Sequence, residues 1–157
     1  MPELGEERIK KMGTKFKITA AQKGRAGELR VASELFLRGF RPSLSLDNDE
    51  VDLILDNGFR IQVKAASLNK RGTFSFNFKS WRRIGEERKQ VRHELKNVDF
   101  IILWGIDEDL FLIFPKSELQ NRTSITVPGS GPKQNRGRGI GRRYLFHKNQ
   151  WDLLGQE

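Results

Sequence analysis

The fold turns on one stretch: Val51-Asp52-Leu53-Ile54-Leu55-Asp56-Asn57-Gly58-Phe59-Arg60-Ile61-Gln62-Val63-Lys64. Asn-Gly between two alternating apolar runs is a strong hairpin signal. The loop length sets the register. A two-residue loop at Asn57-Gly58 would oppose Asp56 to Phe59 and Asp52 to Val63, placing charges on the apolar face. A three-residue loop, Asp56-Asn57-Gly58 with Gly58 left-handed, shifts the register by one. Leu53 then opposes Ile61, Val51 opposes Val63 and Asp52 opposes Gln62. The hydrophobic pattern selects this second register, and Asp52, Gln62 and Lys64 then converge on one sheet face.

Working outward, residues 19–38 read as a helix. Thr19 is its N-cap and Gln22 completes a capping box. Ala21, Leu29, Ala32, Leu35 and Phe36 form its apolar face, and Gly39 sits just past its end. Residues 40–46, interrupted by Pro42, read as a short edge strand. Asp47, Asp49 and Glu50 belong to a polar turn. Residues 73–78 alternate Phe74, Phe76 and Phe78 on one strand face. Residues 81–97 are charged and read as largely helical. Residues 98–104 and 110–114 form a second, buried hairpin around Asp107-Glu108-Asp109. Residues 125–127 and 143–146 are short strands, and 150–154 a last helical turn. The order predicts one mixed α/β domain over 1–157.

The chain carries 29 Lys plus Arg against 20 Asp plus Glu, a formal net charge of +9, and no Cys. Disulfide frameworks, thiolate metal sites and Cys nucleophiles are excluded. Two His are too few for a multi-His metal centre. No apolar run approaches the ~20 residues that span a bilayer, so a cytoplasmic protein is expected. The excess charge predicts a polyanion partner, most simply nucleic acid. It is also segregated. No acid lies between Glu118 and Asp152, while Arg122, Lys133, Arg136, Arg138, Arg142, Arg143 and Lys148 do. Residues 128–141 within it are rich in Gly and read as a basic loop.

A carboxylate, an amide oxygen and an ammonium on adjacent strands are the parts of a metal-dependent hydrolytic site. Hard divalent cations take oxygen ligands, and a lysine can orient water or stabilise an oxyanion. A solvated hairpin face carries the same residue types, so spacing alone leaves both readings open.

The run Gly24-Arg25-Ala26-Gly27-Glu28, the helix ending at Arg38-Gly39-Phe40, then Val51-Asp52-Leu53 and Ile61-Gln62-Val63-Lys64 resemble the PD-(D/E)xK nuclease superfamily. Within it they resemble a branch with Gln in the motif, seen in certain group I intron homing endonucleases, and also archaeal Holliday-junction resolvases. The resemblance implies a restriction-endonuclease-like αβββαβ core, a mixed sheet flanked by helices. It implies Asp52 as the central metal ligand, Lys64 as the catalytic lysine and Glu28 as a further ligand. Gln62 stands where the family usually has Glu or Asp, and Val51 where it has Pro. The implied cofactor is Mg2+ or Mn2+, and the implied activity is hydrolysis of DNA phosphodiesters at chosen sites. A junction-specific nuclease and an inactive DNA-binding module of the same fold are the alternatives. For holding DNA the candidates are Lys133, Arg136, Arg138, Arg142 and Arg143 in the basic loop, Arg82 and Arg83 in the charged segment, and Ser67 beside Lys64. One site cuts one strand, so double-strand cleavage implies a homodimer or higher homo-oligomer.

Overall fold

The computed structural model describes residues 17–46, 50–92, 95–131 and 141–155. Helix α1 (Ala20–Leu37) starts at the predicted capping box: Thr19 Oγ1 accepts from the Gln22 amide at 3.2 Å, and Gln22 Oε1 accepts from the Thr19 amide at 2.9 Å. It closes at Gly39 with two hydrogen bonds, Gly39 N to Phe36 O and Phe40 N to Leu35 O, both 3.0 Å.

Five strands form the central sheet, in the order β1 (Ser43–Leu44), β2 (Leu53–Ile54), β3 (Arg60–Ala66), β7 (Phe100–Gly105), β8 (Leu110–Pro115). Among the described strands β3 and β7 pair in parallel and the other neighbours antiparallel, so the sheet is mixed as expected. β1 lies at its edge, where Pro42 can be tolerated. The three-residue loop is present. Leu55 N donates to Phe59 O at 2.9 Å, and Gly58 takes φ +90°, a conformation a side chain would resist. Leu53 accordingly faces Ile61.

One sheet face carries α1. Val31 and Leu35 pack there with Leu53, Leu55, Ile61, Val63, Ile102, Phe111 and Ile113. The stripe that α1 buries is Gly27, Val31 and Leu35, whereas Leu29 and Phe36 of the expected face are exposed. The helix rests on the sheet at a buried glycine, Gly27, a residue that apolar periodicity does not register. A Cβ on Gly27 would lie 3.0 Å from the Ala65 Cβ and 3.5 Å from Val63 Cγ1. Ala65 is fixed to a central strand and cannot step aside alone. Gly27→Val should therefore destabilise the chain by about 1–3 kcal/mol through overpacking, read as a lowered urea midpoint at unchanged slope.

The second core cluster joins Ala66, Ile101, Leu103, Leu110, Leu112 and Phe114 to β4 (Thr73–Asn77) and β9 (Ser124–Pro128), which pair antiparallel. Phe74, Phe76 and Phe78 are all buried in it, as their alternation predicts. β7 and β8 form the expected buried antiparallel pair, joined by a 3-10 turn, Ile106–Glu108.

Three further expectations change. Residues 81–97 do not make a helix. β5 (Lys79–Ile84) and β6 (Glu87–Arg92) form a hairpin instead, so strands β4 to β6 occupy the described chain between β3 and β7. Glu, Arg and Lys have good helix propensity, but this segment offers no apolar stripe to bury a helix against the body. Gly85, at φ +64°, opens the two-residue turn. Residues 143–146 are part of a 3-10 helix, Arg142–His147, rather than a strand. There Tyr144 N bonds Gly141 O at 3.0 Å, and His147 stacks on Phe114 with centroids 4.0 Å apart. Val51 is buried, but in the cluster with the phenylalanines rather than with Leu53 and Leu55. The chain therefore changes faces at Asp52.

Candidate active site

That change of face builds the site. Asp52 N donates to Ile61 O at 2.9 Å although Leu53 is the residue opposite Ile61. Two residues of one strand thus share one of the other, as at a β-bulge, which kinks the strand and re-aims a side chain. The ladder stops there. Continued in the same register, it would give the Val63 amide to the Val51 main chain. Val63 N instead donates to Asp52 Oδ2 at 2.7 Å. The carboxylate is held by the strand it faces.

Burial pushes the Asp52 carboxyl up from 3.8 to about 6, against the pull of the Val63 amide. Glu28 pushes the same way, whereas Lys64 and Arg25 oppose it. The Lys64 ammonium is driven below its ordinary value by burial, with Asp52 pulling it back. Both groups are half-buried, which draws each toward its neutral form, and each is the counter-charge that favours the other's ionised form.

Gln62 lies between them in sequence and is 2% exposed. Its Oε1 is buried with no protein donor. Such an oxygen costs free energy unless something satisfies it. Glu28 comes from α1, one residue beyond the glycine that seats the helix on β3. Its Oε2 accepts from Arg25 Nη1 at 2.7 Å. Arg25 belongs to the helix run that carries the resemblance, but the sequence assigns it no role. Its signal was there, a basic residue three positions before Glu28 on one helix face.

The structure thus places Asp52 within electrostatic reach of both Lys64 and Glu28, with the buried amide of Gln62 on the same strand as Lys64. Three oxygen donors of this kind suit a hard cation such as Mg2+ or Mn2+. Among the described residues no three or more Asp, Glu, His or Cys gather at a metal-binding distance. The third donor here is an amide.

The candidates for holding DNA are dispersed. Ser67 is half-buried just past β3. Arg83 is exposed on β5, and Arg82 is placed by its main-chain pairing with Lys89 on β6. Arg142 and Arg143 are exposed on the 3-10 helix. With Arg122, Ser124, Thr126 and Tyr144 they line a cleft of about 560 Å³, where the Arg143 guanidinium lies 5.0 Å from the Tyr144 ring centroid. Lys133, Arg136 and Arg138, and Asp47 and Asp49 of the turn before β2, lie outside the described residues.

A polar latch that the sequence did not reveal fastens α1 beside the site. Arg30 Nε donates to Asp109 Oδ1 at 3.1 Å, and Trp104 Nε1 donates to the same oxygen at 2.7 Å. Arg30 holds the Asp109 carboxyl below the usual carboxylate range. These partners are 79 residues apart, beyond any local pattern. Among the described residues no helix is long and apolar enough to cross a membrane.

Comparison with known proteins agrees with this architecture. The family described as PD-(D/E)XK endonuclease matches residues 18–149. The structure of a bacterial homing endonuclease superimposes with a TM-score of 0.68 at 19% identity, covering 84% of this chain and 90% of that one. No curated protein matches in sequence.

Proposed function

This chain belongs to the PD-(D/E)XK endonuclease family, and from that premise we propose that it hydrolyses DNA phosphodiesters with a divalent cation, Mg2+ or Mn2+, at the site of Asp52, Gln62, Glu28 and Lys64. The observation that carries the reading is the buried, donorless Oε1 of Gln62, two residues along β3 from the Lys64 that is charge-coupled to Asp52. That oxygen accounts for itself if a cation satisfies it. Asp52, Gln62 and Glu28 would hold the cation, which when bound supplies charge stabilisation at the phosphoryl oxygens and a more acidic water.

The chain's own residues do the rest. The Val63 amide and the bulge hold Asp52 in place, and Arg25 holds Glu28. Lys64, on a rigid central strand, presents an ammonium to the attacking water and the developing negative charge. The low water content that shifts Lys64 and Asp52 also strengthens each of these interactions. The basic side chains of the cleft contact phosphates and orient the duplex.

The proposed substrate is duplex DNA cut at chosen sites, in keeping with the homing endonuclease whose fold it shares. Cutting both strands calls for two copies of the site, most simply a homodimer. A supercoiled plasmid tests the activity. Nicking is expected with magnesium and should cease with a chelator. Equal nicking in the chelator would refute the metal site.

A further inference from the structure

The β5–β6 hairpin belongs to neither core sheet; among the described residues its strands pair with each other alone. A lone two-stranded ribbon is marginally stable in water. Its register is fixed: Lys79 opposes Arg92, Trp81 opposes Gln90, Arg82 opposes Lys89, Arg83 opposes Arg88, and Ile84 opposes Glu87. Directly opposed residues share a face, and faces alternate along each strand.

One face therefore carries the positions of Arg82, Lys89, Ile84 and Glu87. There Glu87 is 3.5 Å from Lys89, so charge is offset within the face. The other face carries Lys79, Trp81, Arg83, Arg88, Gln90 and Arg92, and no acid. It opposes cation to cation twice, at Lys79–Arg92 and at Arg83–Arg88. Like charges set directly across a ladder are destabilising, and no acidic position lies on that face of the paired strands; Arg83 Nε donates to the Gly85 carbonyl at 3.3 Å, which adds no counter-charge. Trp81 is 62% exposed, and Arg83, Arg88 and Gln90 are also exposed. Such a face is unfavourable alone and complementary to a polyanion.

Its shape and chemistry narrow the partner. Paired strands lie ~4.8 Å apart, and the B-DNA major groove, ~12 Å wide, admits a two-stranded ribbon. Arginine pairs bidentately with guanine there and glutamine with adenine. The major groove of A-form RNA is too narrow for this. We propose that β5–β6 is a base-reading ribbon that enters the DNA major groove with its Trp81–Arg83–Arg88–Gln90 face toward the base edges, an inference that rests on the DNA endonuclease reading above.

The test is selection of bound duplexes from a random 24-base-pair library by the full chain in calcium, followed by affinities for the selected and for scrambled duplexes. The wild type should select a defined sequence. Arg83→Ala and Gln90→Ala should each reduce its preference over scrambled DNA roughly tenfold or more, the loss expected for one bidentate base contact. Lys89→Ala, on the opposite face, should weaken both duplexes alike and lower the salt slope by about one. Arg88→Glu guards against misfolding. It gives Arg83 an opposite charge across the ladder, so the ribbon should be at least as stable while the preference disappears. A wild type that selects nothing, or face variants that keep its preference, would overturn the ribbon. Cleavage of the same duplexes in magnesium is scored separately. Intact selection without cleavage supports the ribbon and counts against the endonuclease reading; cleavage with a preference that all variants retain does the reverse.

Discussion

Asp52→Asn should abolish plasmid nicking, with a fall of about a thousandfold or more, because charge stabilisation by a bound cation is worth several kcal/mol and each ~1.4 kcal/mol is tenfold. The same substitution should not harm the fold. The Asn amide oxygen can still accept from Val63 N, and the burial cost of an ionised carboxylate is gone. A pH profile separates the two effects. In the folded chain Asp52 ionises at about 6, against an ordinary value of 3.8. Between those values the folded state holds a proton that the unfolded state has lost. Stability of the metal-free chain from this group is therefore fully present at low pH and falls as pH rises through 6, by up to about 3 kcal/mol. Asp52→Asn should flatten this part of the profile and raise the metal-free denaturation midpoint at pH 7. Magnesium should raise the wild-type midpoint above pH 6 and leave the variant unmoved. A variant less stable than wild type at pH 7 would mean that Asp52 has a structural role instead.

Lys64→Ala should lower the nicking rate by about a hundred- to a thousandfold, the range for removing one preorganised group that stabilises developing charge. DNA binding should change little, since one half-buried ammonium adds little to a surface that many cations already serve. Lys64→Arg should not rescue the rate. Guanidinium is a planar fork that spreads its charge over three nitrogens, and it does not replace a compact ammonium at one position. Removing Lys64 also removes a cation that favours ionised Asp52. The metal-free stability profile of Lys64→Ala should consequently break at a higher pH than that of wild type. Unchanged nicking in Lys64→Ala would exclude lysine from the chemistry. A large loss of DNA affinity with the rate at saturating DNA preserved would make it a binding residue.

The hairpin was legible because its signals are local and mutually consistent. Asn57-Gly58 marks the turn, and only one register keeps charge off the apolar face. The capping box at Thr19 and Gln22 and the alternating phenylalanines of β4 are local in the same sense. The helical reading of residues 81–97 failed because propensity was the only guide. A charged segment with no apolar stripe follows whatever turn its glycine permits, and Gly85 permits a hairpin. The buried face of α1 was misjudged because its key position is Gly27, where the contact is made by the absence of a side chain.

The sequence by itself determined which residue types stand ready for chemistry, their order, and the hairpin that brings Asp52 near Gln62 and Lys64, since these follow from turn geometry and the period of a strand. Tertiary structure decided the rest. The bulge that turns Asp52 onto the Val63 amide exists because Val51 is drawn into a different core cluster from Leu53. The closeness of Glu28 exists because Gly27 lets α1 rest on β3. The displaced proton affinities of Asp52 and Lys64 exist because those packed layers exclude water. Each depends on contacts between segments far apart in the chain, and on burial, which no local pattern of residues encodes.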